Sequence, residues 1–305
     1  MPKVAVTRRL PFPALERLAA AHEVVTWPGE LPPAPAELRE LADGADGLLC
    51  LLTDRVDAAL LGACPRLRAV AVYAVGTDNV DLAAAAQRGV AVGNSPDVLT
   101  EATADLAFAL LLAAARRLPE AAAAVREPGG WRTWEPAGWL GLERHGATLG
   151  IVGAGRIGEA VARRAEGFGM RVLRSRPAPL PELLAVSDAV SLHVPLTPQT
   201  RRLIDAAALG AMKPGAILVN TARGPIVDQE ALAAALRSGR LGAAALDVTD
   251  PEPLPFDHPL LDAPNLLVVP HIGSATTAAR ARMADMAVDN LLAALDGEPM
   301  PHPVA

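Results

Sequence analysis

Three polar residues stand just past short apolar runs. They are Arg223 in Asn220-Thr-Ala-Arg-Gly224, Glu252 in Asp247-Val-Thr-Asp-Pro-Glu-Pro253, and His271 in Pro270-His-Ile-Gly-Ser274. Histidine is the side chain suited to giving and taking a proton near neutral pH, and a neighbouring carboxylate raises its proton affinity and fixes its orientation. Arginine offers planar paired donors and a fixed charge, which can hold a small carboxylate and polarise an adjacent carbonyl. Together they are suited to protonating a carbonyl oxygen as negative charge develops on it. One such residue at a strand end is more often a cap or an ion-pair partner, whereas three at successive strand ends point to chemistry. His22, His145, His258 and His302 lie in loop or strand-end contexts without such companions. No Cys/His cluster has metal-ligand spacing, so no metal is expected.

Gly153-Ala-Gly155-Arg156-Ile157-Gly158 follows the apolar run 148–152 and opens a helix, read as 159–167, that leads to another strand. In that setting Gly153 permits a tight turn, Gly155 lets the backbone approach a pyrophosphate, and Gly158 lets the helix pack closely on the sheet. The spacing is that of a dinucleotide site, and a nicotinamide there would supply a hydride. The next strand would normally end in a carboxylate about twenty residues on, to hold the adenosine ribose. Here it ends Leu173-Arg174-Ser175-Arg176. Guanidiniums with a hydroxyl suit a 2′-phosphate, so NADP(H) is the preferred cofactor, with NAD(H) possible.

These residues need elements to carry them. Short apolar runs alternate with longer Ala/Leu-rich segments along all 305 residues, the pattern of parallel βαβ units. Strands are expected at 3–7, 22–26, 47–52, 69–73 and 90–92, then at 148–152, 171–173, 189–193, 216–220, 242–248 and 265–269. Helices are expected at 13–21, 35–43, 57–63, 100–117 and 275–295, with Arg116 and Arg117 in the last turn of the 100–117 helix. The Pro-rich pieces 31–35 and 177–181 read as loops. The expected fold class is α/β, with two doubly wound parallel-sheet domains. Residues 98–275 would bind the dinucleotide; 1–97 and 276–305 would form a discontinuous substrate domain.

Composition narrows the partners. Hydrophobic residues make up 51% of the chain and charged residues 20%, enough to fill two cores. A net charge of −6 without a basic run argues against nucleic acid and anionic membrane surfaces. The longest apolar run in the middle of the chain, 106–115, is about half of a bilayer span. The first residues enter a strand pattern at once, leaving no room for a signal peptide, so the expected location is cytoplasmic. Cys50 and Cys64 sit in apolar segments and read as inert core thiols. Aromatic residues are only 3% of the chain, yet Trp131, Trp134 and Trp139 fall in one short stretch after Pro128-Gly-Gly130.

At Gly153–Gly158, Asn220–Gly224, Asp247–Pro253 and Pro270–Ser274 the sequence resembles the D-isomer-specific 2-hydroxyacid dehydrogenases, over nearly the whole chain. The resemblance implies a Rossmann nucleotide-binding domain and a flavodoxin-like substrate domain. It makes Arg223 the substrate-binding arginine, Glu252 and His271 the acid/base pair, and Asp247 a contact of the nicotinamide amide. Val75 and Gly76 would present backbone donors to the substrate carboxylate, with Ser274 nearby. His193, Pro195 and Thr200 would flank the adenosine side, and Thr103, Thr221, Ala222 and Gly273 would complete the cofactor contacts. Ser95–Thr103, Arg116–Glu120 and Gly129–Pro136 look most like the glyoxylate/hydroxypyruvate reductases, although the stretch between Arg176 and Ser187 is shorter than in that branch. In that branch a tryptophan of this loop resembles a pocket wall supplied by a partner subunit. This implies a homodimer, with Trp139 reaching across. A D-lactate or phosphoglycerate-type dehydrogenase, or a dinucleotide-sensing corepressor-like interaction protein, is the alternative.

Overall fold

Continuous rather than alternating apolar runs make the strands, because helices cover both faces of each sheet. Gly47–Cys50, Ala69–Val72, Thr148–Val152 and Ala216–Asn220 are buried at every residue. The structure, a computed structural model, describes residues 1–175 and 178–304. The chain divides into two compact units, Met1–Leu99 with Ala275–Ala305, and Thr100–Ser274.

The first unit runs β1 (Lys3–Val6), α1 (Ala14–Ala21), β2 (Glu23–Thr26), α2 (Pro35–Ala42), β3 (Gly47–Cys50), α3 (Ala58–Ala63), β4 (Ala69–Val72), α4 (Leu82–Gln87) and β5 (Ala91–Gly93). Its sheet is parallel in the order β2-β1-β3-β4-β5. The second unit begins with α5 (Thr100–Ala115) and α6 (Leu118–Ala124). It continues through β6 (Thr148–Val152), α7 (Arg156–Gly167), β7 (Arg171–Arg174), α8 (Leu180–Val186), β8 (Ala189–Leu192), α9 (Ala206–Ala211), β9 (Ala216–Asn220), α10 (Gln229–Arg237), β10 (Leu241–Leu246) and β11 (Leu266–Val268). This sheet is also parallel, in the order β11-β10-β9-β8-β6-β7. Last, α11 (Thr277–Leu295) belongs to the first unit, where it packs on α1, β3 and β4. Both sheets are therefore doubly wound, and the fold class is α/β.

Aliphatic side chains fill the cores. Along β9, Leu218 packs into a cluster with Leu192 and Leu232 on one face of the sheet. Ile217 and Val219 point to the other, against Leu111 of α5 and Val161 of α7. Cys50 and Cys64 are buried free thiols; burial pushes the Cys50 thiol well above its ordinary range. Among the described residues no helix is long and apolar enough to cross a membrane.

Two local expectations need correction. The Pro-rich pieces are not only loops: Pro35 opens α2, and α8 starts at Leu180 with Pro181 in its first turn. Proline fits there because its fixed φ is already helical and its missing N–H has no intrahelical acceptor to lose. The long helix stops at Ala115, so Arg116 and Arg117 lie beyond it, and Arg117 takes a left-handed φ of 52°. The short α4, α9 and α10 went unread, although Asp81, Asp205 and Asp228 cap them by accepting the amides of Ala84, Ala208 and Ala231.

Candidate active site

The order of the six-stranded sheet reverses between β6 and β8, which opens a crevice at their carboxyl ends. Gly153 follows β6 with φ +97°, and a Cβ there would lie 2.6 Å from the His193 carbonyl carbon. Only glycine fits so close to the end of β8. Gly153 N–H donates to Ser175 Oγ at 3.2 Å, and His193 N–H donates to the Val152 carbonyl at 2.7 Å, so three strand ends meet at one turn. A Cβ on Gly158 would lie 2.1 Å from the Gly153 carbonyl oxygen, so α7 rests directly on that turn. Gly155 caps α7 with no side-chain bond, and nothing lies within 4 Å of where its Cβ would be. The first-turn amides thus face an open bay at the positive end of the helix dipole. Open bay and amides fit a dinucleotide pyrophosphate. Arg156 and Ile157 form the start of α7 beside it. Past β9, Thr221 carries a buried hydroxyl with no hydrogen-bond partner among the described residues.

The adenosine side is partly committed to internal bonds. The Arg174 guanidinium grips Glu159 through two bonds, at 2.8 and 2.9 Å, and lies 3.5 Å from Glu166. It is thereby turned onto α7. The hydrogen bond from Arg174 holds the Glu159 carboxyl below its ordinary range. Ser175 lies at the Gly153 turn, and Arg176 falls outside the described residues. The Thr200 hydroxyl donates to the Pro195 carbonyl at 2.7 Å and accepts the Thr197 amide at 2.8 Å, so it closes its own turn. His193 bonds Ser191 Oγ through Nε2 at 2.8 Å, and burial pushes its pKa down to about 4.

Further along the edge, β9, β10 and β11 are neighbours, and their loops interlock. Asn220, 1% exposed, accepts the Ala222 amide at 3.0 Å and donates to the Arg223 carbonyl at 2.9 Å. A Cβ on Gly224 would lie 1.9 Å from the Thr249 carbonyl oxygen, so glycine lets the Arg223 loop press against the loop after β10. That second loop is held by Gln229, whose Oε1 accepts the Asp250 amide at 2.9 Å. His271 follows β11 with a left-handed φ of 50°, and its Nδ1 is hydrogen-bonded to Glu252 Oε1. Both side chains are about a third exposed or less, and among the described residues His271 Nε2 makes no hydrogen bond. The arrangement can hold one proton on Nδ1 and exchange another at Nε2.

Asp247 clamps the turn that carries His271. Its two oxygens accept the amides of Ile272 at 2.6 Å and Gly273 at 2.8 Å, and its carbonyl accepts the His271 amide at 2.9 Å. Burial pushes the carboxyl above its ordinary range, while those amides and His271 pull the other way. Thr103 Oγ1 donates to the Gly273 carbonyl at 3.1 Å, closing the turn from the other side. The signal was present: a carboxylate ending an apolar strand cannot stay buried without donors.

Val75 and Gly76 lie half-buried past β4 in the first unit, and among the described residues their amides reach no acceptor. Ser274 is half-buried at the end of the second unit. Trp131 and Trp134 are 70% and 80% exposed; Trp139, with φ 54°, is 44% exposed and has the Arg117 guanidinium 5.4 Å from its ring centre. Among the described residues no group of three His, Cys, Asp or Glu side chains could hold a metal ion.

A glycine turn at a sheet's switch point, with a His–Glu pair and an arginine on neighbouring strand ends, defines a nicotinamide-dependent dehydrogenase. The family model described as D-isomer specific 2-hydroxyacid dehydrogenase, NAD binding domain, matches residues 108–273. A glyoxylate reductase from Korarchaeum cryptofilum is 48% identical, over 99% of this chain and 95% of its own length. The crystal structure of the TT0316 protein from Thermus thermophilus matches with a TM-score of 0.94 at 53% identity, covering 99% of this chain and 100% of that one. The NADPH-dependent glyoxylate/hydroxypyruvate reductase SMc04462 from Sinorhizobium meliloti, in complex with NADP and malonate, matches at 0.87 and 34% identity, covering 100% and 97%. The chain belongs to the D-isomer specific 2-hydroxyacid dehydrogenase family. It is an enzyme that uses a nicotinamide dinucleotide on small keto or hydroxy acids.

Proposed function

We propose that this enzyme reduces glyoxylate to glycolate and hydroxypyruvate to D-glycerate, with NADPH preferred over NADH. The observation that carries this reading is the His271–Glu252 pair, beside the Arg223 loop on adjacent strand ends. A bound nicotinamide supplies the hydride. His271 Nε2 gives its proton to the carbonyl oxygen as charge develops there, and solvent restores it. Glu252 keeps the other proton on Nδ1 and stabilises the imidazolium that precedes transfer. Arg223 neutralises the substrate carboxylate and polarises the carbonyl, while Val75 and Gly76 offer amides to that carboxylate. Thr221, Ala222, Gly273 and the Gly153–Gly158 turn hold the dinucleotide, with His193, Pro195 and Thr200 along its adenosine half. Asp247 keeps the His271 turn in place. The choice of glyoxylate is supported by the glyoxylate reductases among the relatives. NADPH is supported by the missing carboxylate after β7 and by Ser175 and Arg176; Arg174, tied to Glu159, does not add to it.

The exposed rings Trp131 and Trp134, with Leu140 68% exposed beside them, form an apolar arm that a second copy of the chain would cover. The working state is accordingly a homodimer, with Trp139 entering the partner's substrate pocket; the proposed location, the cytoplasm, rests on the sequence pattern alone. Residues 98–275 bind the dinucleotide, and 1–97 with 276–305 bind substrate. The test is steady-state turnover of glyoxylate, hydroxypyruvate and pyruvate with NADPH and with NADH. Glyoxylate with NADPH is expected to give the highest kcat/KM. A preference for pyruvate would favour the D-lactate reading, and no turnover of any 2-keto acid would overturn the enzyme reading.

A further inference from the structure

We propose that Asn94, held in place by the C-terminal tail through Asn290, is a positioning residue that aims the Gly76 amide at the substrate carboxylate. The proposal rests on the reading that Val75 and Gly76 bind that carboxylate. A trans peptide carries its C=O and N–H on opposite sides. Asn94 Nδ2 donates to the Val75 carbonyl at 2.7 Å, so the N–H of the same peptide, that of Gly76, is turned the other way, where it meets no acceptor among the described residues. Glycine tolerates both orientations of such a peptide. Without an anchor, the 75–76 peptide can flip and present a carbonyl to an anion, which repels it. Asn94 removes that alternative.

Asn94 is itself anchored from an unexpected direction. Its amide donates to the His302 carbonyl at 3.1 Å, and its carbonyl accepts Asn290 Nδ2 at 3.0 Å. Asn290 Oδ1 accepts the His302 amide at 2.9 Å, and the residue is wholly buried. The tail continues antiparallel to β5, with Gly93 bridging Pro303 and the Val304 amide donating to Val92 at 2.7 Å. A Cβ on Gly93 would lie 2.6 Å from Asn290 Nδ2 and 2.8 Å from Met300 Sδ, so glycine is what admits the Asn290 carboxamide. The loop is pinned elsewhere too: Ser95 N–H donates to the Ala74 carbonyl at 2.8 Å, and Tyr73 Oη donates to the Arg280 carbonyl at 2.8 Å. The tail thus orients a peptide for which no resemblance gave it a role.

The experiment compares Asn94→Asp, which keeps the shape but loses the donor, Asn94→Ser, and a chain ending at Met300. Each is assayed with glyoxylate, with neutral methyl glyoxylate and with varied NADPH, and each is melted. The expected result is a rise in KM for glyoxylate of about tenfold, the size of one lost hydrogen bond. Turnover of the ester, KM for NADPH and kcat should change by less than about threefold. Parallel losses on glyoxylate and ester would show a merely structural role and overturn the proposal, as would a KM for glyoxylate unchanged in all three variants. Gly76→Pro, which deletes the N–H, separates the two levels. If it leaves KM for glyoxylate unchanged, the carboxylate subsite itself is wrong. If it raises KM while the Asn94 variants and the shortened chain stay at wild type, the subsite stands and Asn94 does not aim it.

Discussion

Replacing Asp247 by Asn tests whether the left-handed His271 turn is held from below. The carboxylate accepts two amides, on separate oxygens, at 2.6 and 2.8 Å, and the residue is 1% exposed, so water cannot substitute. Asn keeps the volume and one acceptor but turns an NH2 toward the second amide, donor against donor. A hydrogen bond to a charged group contributes about 1.5–3 kcal/mol, and a stranded buried amide costs about 1–3 kcal/mol. Against this, the neutral amide is relieved of the burial cost that raises the Asp247 pKa. The net loss comes to about 2 kcal/mol, comparable to what the positive φ of His271 itself costs. The turn is then free to relax. A loss of that size in holding Nε2 predicts a fall in kcat/KM of about thirtyfold for glyoxylate, with a melting midpoint lower by about 4–8 °C. Steady-state kinetics and calorimetry on Asp247→Asn read both. If Asp247 served only as a nicotinamide contact, KM for the cofactor alone would rise and the midpoint would stay; that result would refute the clamp.

Other perturbations separate neighbouring roles. Gly155→Ala, at φ −83° with open space around the new methyl, should leave the melting midpoint within about 2 °C and raise KM for NADPH at least about tenfold. Gly158→Ala places its methyl against the Gly153 carbonyl oxygen and should damage both; equal midpoints for the two variants would contradict this account of the turn. His193, whose pKa burial lowers from 6.5 to about 4, makes the unfolded chain the first to take up a proton. Its contribution to stability should therefore fall as pH drops from about 6.5 toward about 4, and urea unfolding of His193→Gln should lack that component. Arg176→Asp should raise KM for NADPH far more than KM for NADH, and equal effects would show that Arg176 does not meet a 2′-phosphate.

Where one physical cause dominates, the fold could be read directly from the residues. Strands buried on both faces announce themselves as unbroken apolar runs, so β6 and β9 fall on the expected residues to the last position. Boundaries slipped where a single dihedral decides them, as at Arg117, whose left-handed turn ends α5 early. Helices of six or seven residues, such as α4 and α9, carry too few periodic positions to stand out, and only their Asp caps mark them. At the site, residue types and spacing brought out Arg223, Glu252 and His271 because their chemistry is unusual at strand ends. The supports stayed hidden. Arg174 looked like a phosphate ligand because nothing in the sequence places Glu159 beside it, fifteen positions earlier and one helical turn into α7. Asn290 and His302 lie about two hundred residues from Asn94, beyond the reach of any local pattern.

The hidden supports share one design. Asn220, Asp247 and Asn94 each stand within about a turn of a strand's carboxyl end, and each spends its side chain on backbone groups of a following or neighbouring loop. Asp54 does the same in the first unit, accepting the Leu51 amide at 2.7 Å and the Thr7 hydroxyl where the order of that sheet reverses between β1 and β3. Loops at this edge leave the ladder, and their buried N–H and C=O groups need partners that helices and strands no longer supply. A short amide or carboxylate rooted in a rigid strand end provides them with little side-chain entropy to lose. The consequence is a division of labour. Asn220, Asp247 and Asp54, which are buried, and the half-buried Asn94 fix backbones, including the strained His271 turn, while Arg223, Glu252 and His271 remain partly exposed. Substitutions at the supports should therefore shift where the reactive groups point more than which protonation state they hold. That is why a fall in kcat/KM, together with a lower melting midpoint, is the signature expected of the buried supports Asn220 and Asp247.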